Sequence, residues 1–435
     1  MIKIGDIVDV KIEKIVYEGY GLARIDNFVI FVDNAVPLDL LKVEIKKVNK
    51  KFANAKIIEI INPSPHRIKP ECHLFNACGA CNLQFVNYDF LLKCKKQIVE
   101  EALSIKVNDV IASPKIFNYR CKSQYPVTET KNSKRVIAGY YKPKSHEIVN
   151  IKYCMAQDSV VDEIIQYIRD NWSFGCYVEK KHSGLLRHIV VKKSSSTNEI
   201  LVVLVLNSDN KVDLVDFFEN LTKKFPDIKG CLINYNSEKT NKILGSKTET
   251  ILGQNFYTEI LDNKTYKIGA ESFFQVNPAC AVNIFNEVKK AVKPNSTVLD
   301  CYGGVGAIGV WLSDIAKKVT LIEINEDAVN FAHENFKNNN VKNYEIILGD
   351  AKEKLNGLYD YAIIDPPRKG ADFSFLQKLS SITNNIIYVS CNPLTLARDI
   401  KVLKDFNFEV KYVQPIDMFP FTYHIENVCI LEKKS

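Results

Sequence analysis

The sequence predicts a multidomain protein with a small OB-like β-barrel, an α+β central domain and a carboxyl-terminal α/β domain with a doubly wound, Rossmann-like sheet. The chain has 435 residues, which is more than one ordinary hydrophobic core holds. Its first 61 residues contain five short strand-like segments separated by turns. From about residue 267 onward, apolar strand-like runs alternate with helical stretches, as in a sheet covered by helices on both faces.

The barrel is predicted to span residues 1–61. Alternating runs such as IVDVKIEKIV and LLKVEIKKV are separated by turn signals near Glu18 and Pro37, so each run has about the length of a barrel strand. Pro63 and Pro65 then mark a linker.

The central domain is predicted to span residues 62–260, and its periodicity is mixed. The stretch 89–113 separates its parts and contains a helix rich in Lys and Glu near residues 89–103, which makes it a candidate for packing on the last domain, residues 261–435. The stretch from Lys115 to Lys152 holds nine Lys and Arg against two Glu. This excess favours a surface that binds a polyanion, although a solvated basic face has the same composition.

Composition excludes several protein classes. No apolar run approaches the roughly 18 residues that a membrane span needs, and the opening MIKIGDIVDV lacks the apolar core of a secretory signal. We therefore expect a cytoplasmic protein without a membrane partner. Twelve cysteines in such a protein favour metal binding or catalysis over disulfide bonds.

A glycine-rich turn, DCYGGVG at residues 300–306, follows the first strand of the last domain and predicts a nucleoside site. Glu323 ends the second strand, where a carboxylate accepts both ribose hydroxyls. Asp350 ends the third strand, at a place suited to an adenine amino group, and Asp365 ends the fourth. The GGVG spacing and the downstream motifs favour S-adenosylmethionine over NAD.

Five motifs closely resemble those of the 5-methyluridine RNA methyltransferases. They are FFQVN at 273–277, DCYGGVG at 300–306, DPPR at 365–368, SCNPLTLARD at 390–399 and HIE at 424–426. The resemblance implies methyl transfer from S-adenosylmethionine to C5 of uridine. It also implies cofactor contacts from four residues: Gln275, Tyr302, Glu323 and Asp365.

Two positions depart from the family pattern. The usual DLYCG reads DCYGG here, and the stretch that commonly reads MFPHT reads MFPFT, with Phe421 in place of a histidine. Neither departure removes a residue with a named chemical role. The second leaves open how the loop before Glu426 is held.

Methylation of uracil C5 requires a nucleophile and a base, because C5 is too weak a nucleophile until a thiolate adds to C6. Cys391 ends a strand just before Pro393, and a thiol at a helix start is expected to have a depressed pKa. Glu426 lies between a loop and an apolar strand, and the resemblance assigns the base to it. A small buried hydrophobe and a carboxylate at a strand mouth are the plainer interpretations of the two residues.

A cysteine cluster marks the central domain. Cys72, Cys78 and Cys81 form C-x5-C-x2-C, and Cys154 stands alone downstream. Four thiolates bind zinc or an iron-sulfur cluster, and spacing does not decide between them or exclude unrelated free cysteines. The resemblance to the ribosomal branch of the family implies a 4Fe-4S cluster, and in that branch the barrel resembles the TRAM RNA-binding module.

The combined hypothesis is a monomeric enzyme that methylates a uridine in 23S ribosomal RNA, in a single-stranded or looped segment. Transfer RNA is the alternative substrate. A 5-methylcytosine enzyme is a second alternative, disfavoured because such enzymes usually carry another cysteine near the proline motif, absent at 365–368. A third is an RNA-binding or redox-sensing module with an inactive sheet, which an intact Cys391 and Glu426 argue against.

Overall fold

The computed structural model describes residues 2–434, so the predicted domain ends at residues 1 and 435 lie outside it. Three sheets of five or more strands form in this range, and together they confirm the predicted fold class. No helix within residues 2–434 combines the length and the apolar character that crossing a membrane requires.

The amino-terminal sheet has six strands in the order β1-β5-β6-β4-β3-β2. Their bounds are β1 Ile7–Lys11, β2 Lys14–Ile15, β3 Gly21–Ile25, β4 Phe28–Val32, β5 Leu40–Val48 and β6 Phe52–Asn62. The sheet closes because β1 and β2 form one bent run: the Ile12 amide donates to Asp39 beside β5, and the Glu13 amide donates to Leu22 of β3. The strand-like patterns of residues 7–62 thus fold into a barrel with its own core.

The central sheet has the order β12-β11-β10-β9-β7-β8 and is antiparallel except for β10 and β11. Its elements are α1 Tyr88–Leu103, β7 Lys122–Glu129, β8 Val136–Ala138, α2 Ser159–Asn171, β9 Leu186–Lys193, β10 Ile200–Leu206, α3 Val215–Lys224, β11 Ile228–Tyr235 and β12 Lys247–Gly253. Helices α2 and α3 cover one face, and the carboxyl-terminal domain covers the other. This double coverage explains why β10 reads ILVVLVL and is buried throughout.

The last sheet has seven strands in the order β17-β16-β15-β18-β19-β21-β20. A separate two-stranded hairpin, β13 Phe256–Leu261 and β14 Lys264–Gly269, precedes this sheet along the chain. The sheet and its helices are α4 Pro278–Ala291, β15 Thr297–Cys301, α5 Ala307–Leu312, β16 Lys318–Glu323, α6 Glu326–Asn338, β17 Tyr344–Leu348, α7 Ala351–Lys354, β18 Tyr361–Ile364, α8 Phe373–Ile382, β19 Asn385–Ser390, α9 Pro393–Asp405, β20 Phe408–Ile416 and β21 Glu426–Lys433. Strands β15 to β19 are parallel, and β21 is antiparallel to both of its neighbours, β19 and β20. Strands β20 and β21 therefore form an antiparallel hairpin at one end of the strand order.

Helix α1 lies against the last sheet, although the chain places it in the central stretch. Asn87 caps the helix by accepting from the Phe90 amide. An apolar stripe on α1 packs on α9, and Val99 and Val107 belong to the core on that side of the sheet. The segment after the helix runs beside β20, with the Ile111 amide donating to Pro415.

Candidate functional site

The predicted cofactor residues lie at the carboxyl-terminal edge of the last sheet, where the parallel strands β15 to β18 end side by side. The glycine loop between β15 and α5 turns through positive φ at Tyr302, Gly304 and Gly306. A Cβ at Gly306 would lie 2.7 Å from the Phe336 ring, so only glycine fits where the loop packs on α6. The loop therefore brings its backbone close to the strand ends.

Glu323 joins the glycine loop to the end of β16. One carboxylate oxygen accepts from the Gly304 amide at 2.9 Å, and the other accepts from the Ile324 and Asn325 amides at 2.8 Å each. The side chain is half-buried, and the oxygen that accepts from Gly304 keeps one acceptor site free of backbone amides. Glu323 is thereby held in one orientation, as a ribose-binding carboxylate must be.

Asp350 follows β17 and caps α7 by accepting from the Lys352 amide at 2.8 Å. The residue before it is tied back to β16, since the Gly349 amide donates to the Glu323 carbonyl. Asp350 is exposed, so its carboxylate is accessible for the predicted contact with an adenine amino group as well as capping α7. Tyr302 is half-buried against the Phe375 ring, 5.5 Å between centroids.

Gln275 and Asp365 meet across the same edge, with the Gln275 amide nitrogen 3.5 Å from the Asp365 carboxylate. Burial raises the pKa of Asp365 to about 7. Burial, with smaller contributions from Asp365 and Glu323, raises the pKa of Asp300, under the glycine loop, to about 7 against the hydrogen bond from the Gly309 amide. A cation bound here would lower the pKa of these two carboxyl groups and so favour their ionised forms.

Cys391 and Glu426 lie at adjoining strand ends. Strands β19 and β21 are antiparallel neighbours in which Ser390 pairs with Asn427, and the Asn427 side chain donates to the Ser390 carbonyl at 3.2 Å. Cys391 follows Ser390, and Glu426 precedes Asn427. The fold thus brings together two residues that are 35 positions apart in the sequence.

The expectation of a depressed Cys391 pKa is wrong for the free protein. Burial raises the pKa of Cys391 to about 12, the nearby carboxylates Glu426 and Asp365 add to the rise, and only the Arg368 guanidinium opposes it. At the helix start, Pro393 has no N–H and the Leu394 amide donates to the side chain of the cap residue, so neither position offers a free amide to the Cys391 sulfur.

Glu426 is buried, and its environment disfavours the charged form. Burial raises its pKa to about 8, with Asp365 raising it and Arg368 lowering it. Near neutral pH the free protein therefore holds a thiol beside a largely protonated carboxyl group. Arg368 belongs to the DPPR motif, and no role was predicted for it. Its positive charge lowers the pKa of both Cys391 and Glu426.

A buried ion pair holds the loop before Glu426. Lys95 of α1 pairs with Asp417, and both side chains are fully buried. The same ammonium donates to the carbonyls of Phe419, at 3.1 Å, and His424, at 2.8 Å. Lys95 was missed from the sequence, although a lysine within the apolar stripe of α1 is a signal of a buried partner.

Further polar contacts extend this network. Tyr88 donates to Asp417 at 2.7 Å and accepts from the Ser113 amide at 3.0 Å. The Asn277 side chain donates to the Ser113 hydroxyl and to the Met418 carbonyl. The loop before Glu426 is thereby joined to α1 and to the segment that carries Gln275.

Phe421 occupies the position where the family has a histidine. Its ring is buried and stacks on Phe117, with centroids 5.4 Å apart and an interplanar angle of 24°. Its carbonyl accepts from the Leu83 amide at 2.9 Å. Apolar packing and one backbone hydrogen bond thus hold the loop before Glu426 at the position where the family has a histidine.

The four predicted cluster cysteines line one cavity: Cys72, Cys78, Cys81 and Cys154. Within residues 2–434 no group of three or more His, Cys, Asp and Glu is arranged to hold a single metal ion. The four thiols are free, and thiolates are the ligands that an iron-sulfur cluster takes. The cluster stays a prediction.

Comparison with known families identifies two regions. Residues 88–434 match the model of the tRNA (uracil-5-)-methyltransferases, and residues 2–58 match the TRAM domain. An uncharacterized RNA methyltransferase of Halalkalibacterium halodurans is 34% identical over 99% of this chain and 98% of its own length. Another, from Clostridium acetobutylicum, is 36% identical over 95% of this chain and 94% of its own length.

One solved structure matches the whole architecture. The crystal structure of Pyrococcus abyssi tRNA (uracil-54, C5)-methyltransferase in complex with S-adenosyl-L-homocysteine has a TM-score of 0.78 and 28% identity, covering 98% of this chain and 100% of that chain. These matches confirm the resemblance drawn from the motifs, while the ribosomal branch stays a prediction. The chain belongs to the tRNA (uracil-5-)-methyltransferase family and carries an amino-terminal TRAM domain.

Proposed function

We propose that this protein transfers a methyl group from S-adenosylmethionine to C5 of a uridine in RNA, through a covalent bond between Cys391 and C6 of the base. The observation that carries the proposal is the placement of Cys391 and Glu426 at adjoining ends of β19 and β21. That placement lies in the same sheet as the glycine loop. A nucleophile, a base and a nucleoside-binding edge are the parts that the reaction needs.

Five residues would hold the methyl donor: Gln275, Tyr302, Glu323, Asp350 and Asp365. When bound, the donor supplies a methyl group on a positively charged sulfur. Glu323 would accept from the ribose hydroxyls, since its carboxylate is fixed by three backbone amides. Asp365, with a pKa raised to about 7 by burial, ionises readily beside a cation.

The covalent steps use two side chains. The Cys391 thiol loses its proton to solvent, and its sulfur bonds to C6 while the C5–C6 electrons move toward the C4 oxygen. C5 then takes the methyl group, and the donor sulfur keeps the bonding pair. Glu426 accepts the C5 proton, the C5–C6 double bond re-forms, and the C6–S bond breaks to release the Cys391 thiolate.

We propose 23S ribosomal RNA as the substrate, because the four cysteines and the TRAM barrel resemble the ribosomal branch of the family. Transfer RNA is a second candidate, favoured by the transfer RNA enzyme of P. abyssi, which matches the barrel as well as the catalytic region. Incubation with methyl-labelled S-adenosylmethionine and separated RNAs, followed by mapping of 5-methyluridine, decides between them. Label in transfer RNA alone overturns the ribosomal assignment.

A covalent trap tests the mechanism. RNA carrying 5-fluorouridine has no C5 proton to remove, so we expect a stable protein–RNA adduct in the presence of the donor. Glu426→Gln should accumulate an adduct with ordinary RNA, because the methylated ring keeps its C5 proton. Cys391→Ala should form neither adduct, whereas Cys429→Ala, in the strand that begins at Glu426, should behave as wild type. Methylation by Cys391→Ala would overturn the covalent step.

We also propose that the four cysteines bind a 4Fe-4S cluster with a structural role, since methyl transfer needs no electron. The proposed ligands are Cys72, Cys78, Cys81 and Cys154. Iron and sulfide analysis of anaerobically purified protein, with its visible absorption, tests this. Cys81→Ser should lose iron, and Cys94→Ser, a buried thiol of α1, should retain it. Iron-free wild-type protein with normal unfolding would overturn the proposal.

A further inference from the structure

The barrel contacts the candidate active site through one turn. The 3-10 turn Tyr17–Gly19 joins β2 to β3 and places the Tyr17 ring 5.2 Å from the Tyr423 ring, at an interplanar angle of 75°. Tyr423 lies three residues before Glu426, and its ring is 4.2 Å from that of His424. A barrel side chain thus borders the loop that leads to the proposed base.

The turn is fixed from both sides. Within it, the Val16 amide donates to Tyr20 and the Gly19 amide to Val16, at 2.9 Å each. From outside, the Asn82 side chain donates to the Glu18 carbonyl at 3.4 Å. Ile15, just before the turn, is buried in the same apolar cluster as Phe421. Tyr17 therefore has a defined position relative to the loop before Glu426.

The two tyrosines are only partly covered by protein. Both side chains are half-buried, and neither hydroxyl has a hydrogen-bond partner within residues 2–434. Burial and Tyr423 raise the pKa of Tyr17 to about 12. The Arg368 charge lowers this pKa, and Cys391 raises it. Two aromatic rings with free hydroxyls therefore lie at the loop that leads to Glu426, within range of the charge on Arg368.

We propose that Tyr17 and Tyr423 form a nucleotide-binding subsite at the mouth of the active site, in which the barrel supplies one wall. Its ligand is the base of an unpaired nucleotide next to the target uridine. Unpaired bases stack on tyrosine, and Arg368 is placed to contact the adjoining phosphate. The inference rests on the proposed function, and it makes the barrel a part of the substrate site.

Packing between domains is the plain alternative for this pair, and substitutions separate the two roles. Tyr17→Phe keeps the ring and should leave RNA binding unchanged. Tyr17→Ala and Tyr423→Ala should each raise the KM for RNA about tenfold and leave the KM for the methyl donor and kcat nearly unchanged. Phe174→Ala is the control, because Phe174 is an accessible aromatic residue that likewise makes a 5.2 Å T-shaped contact, with Trp172.

Binding is measured separately from catalysis with a fluorescein-labelled oligouridine, whose anisotropy reports affinity without methylation. If the two rings hold one base, the double variant should lose less affinity than the product of the single losses. Unchanged affinity and KM in Tyr17→Ala, with wild-type thermal unfolding, would sink the subsite alone. Wild-type protein that binds RNA but methylates no uridine would instead sink the proposed function.

Discussion

The cofactor side and the reaction side of the candidate site are held by different kinds of contact. On the cofactor side, Glu323 bonds to amides of the glycine loop and of its own turn, and Asp350 caps the helix that follows it. On the reaction side, the loop before Glu426 depends on Lys95, more than 320 positions away. Turns at the strand ends thus hold Glu323 and Asp350 on the first side, and contacts across more than 320 positions hold the loop of the second.

This difference predicts which substitutions damage which side. A change in a strand-end carboxylate should weaken donor binding and leave the loop before Glu426 intact. A change in the buried network should slow the reaction and leave donor binding intact.

Lys95→Met should have the largest effect, because it leaves Asp417 as a buried carboxylate with only Tyr88 as a donor. Removing one partner of a buried ion pair costs about 3–5 kcal/mol of unfolding free energy. We expect kcat to fall at least tenfold, while the Kd for S-adenosylmethionine stays within twofold. Urea unfolding, calorimetric titration and steady-state kinetics measure the three quantities.

The neighbouring Lys96→Met is the matched control. Lys96 pairs with Asp109, whose side chain is 95% exposed, so its loss should leave the unfolding free energy nearly unchanged. Lys95→Met combined with Asp417→Asn should regain part of the lost stability, since no unpaired charge stays buried. Equal losses in Lys95→Met and Lys96→Met would contradict the long-range account of the loop.

Glu323→Gln should weaken S-adenosylmethionine binding by roughly tenfold or more, equal to at least about 1.4 kcal/mol. Glutamine offers one acceptor oxygen where three backbone amides now share two. The affinity for oligouridine should not change. A calorimetric Kd equal to that of wild type would remove Glu323 from the donor site.

Glu426→Gln should lower the pKa of Cys391, because the Glu426 carboxylate is the largest charge that raises it. The rate of alkylation of Cys391 by iodoacetamide, followed against pH, should therefore rise at lower pH than in wild type. Asp365→Asn should shift the profile the same way by less, and Arg368→Gln should shift it upward. In the wild type, kcat/KM should rise as pH increases through about 8, where Glu426 ionises in the free protein.

Asp350→Asn should have the smallest effect. Asparagine caps a helix about as well as aspartate, so the unfolding free energy should stay unchanged. Donor affinity should fall only a few-fold, by about 0.5–1 kcal/mol, through one weakened hydrogen bond. A loss as large as that of Glu323→Gln would show that the two carboxylates contribute equally.

The fold and the cofactor edge were predictable because their signals are local. Strand ends, the glycine turn and the carboxylates that follow each strand lie within short windows of sequence, and parallel strands bring them to one edge. The ionisation of Cys391 was not predictable from its helix-start context. It depends on which amides are free and on where Glu426 and Asp365 lie, and both are properties of the folded chain.

Three other features could not be predicted from the sequence for a related reason. The role of Lys95 depends on its contact with Asp417, and the role of Tyr17 depends on its contact with Tyr423. Each pair joins segments that are far apart along the chain. The burial of Phe421 against Phe117 is likewise tertiary.

The pair formed by Lys95 and Asp417 also bears on the order in which the molecule assembles. Contacts between nearby residues close early in folding, whereas a contact that spans 322 positions waits for the domains between them to compact. We expect hydrogen-exchange pulse labelling during refolding to show early protection in β15 and β16 and late protection in β21. The loop before Glu426 would then take its final position only after the glycine loop and the strands that flank it have formed.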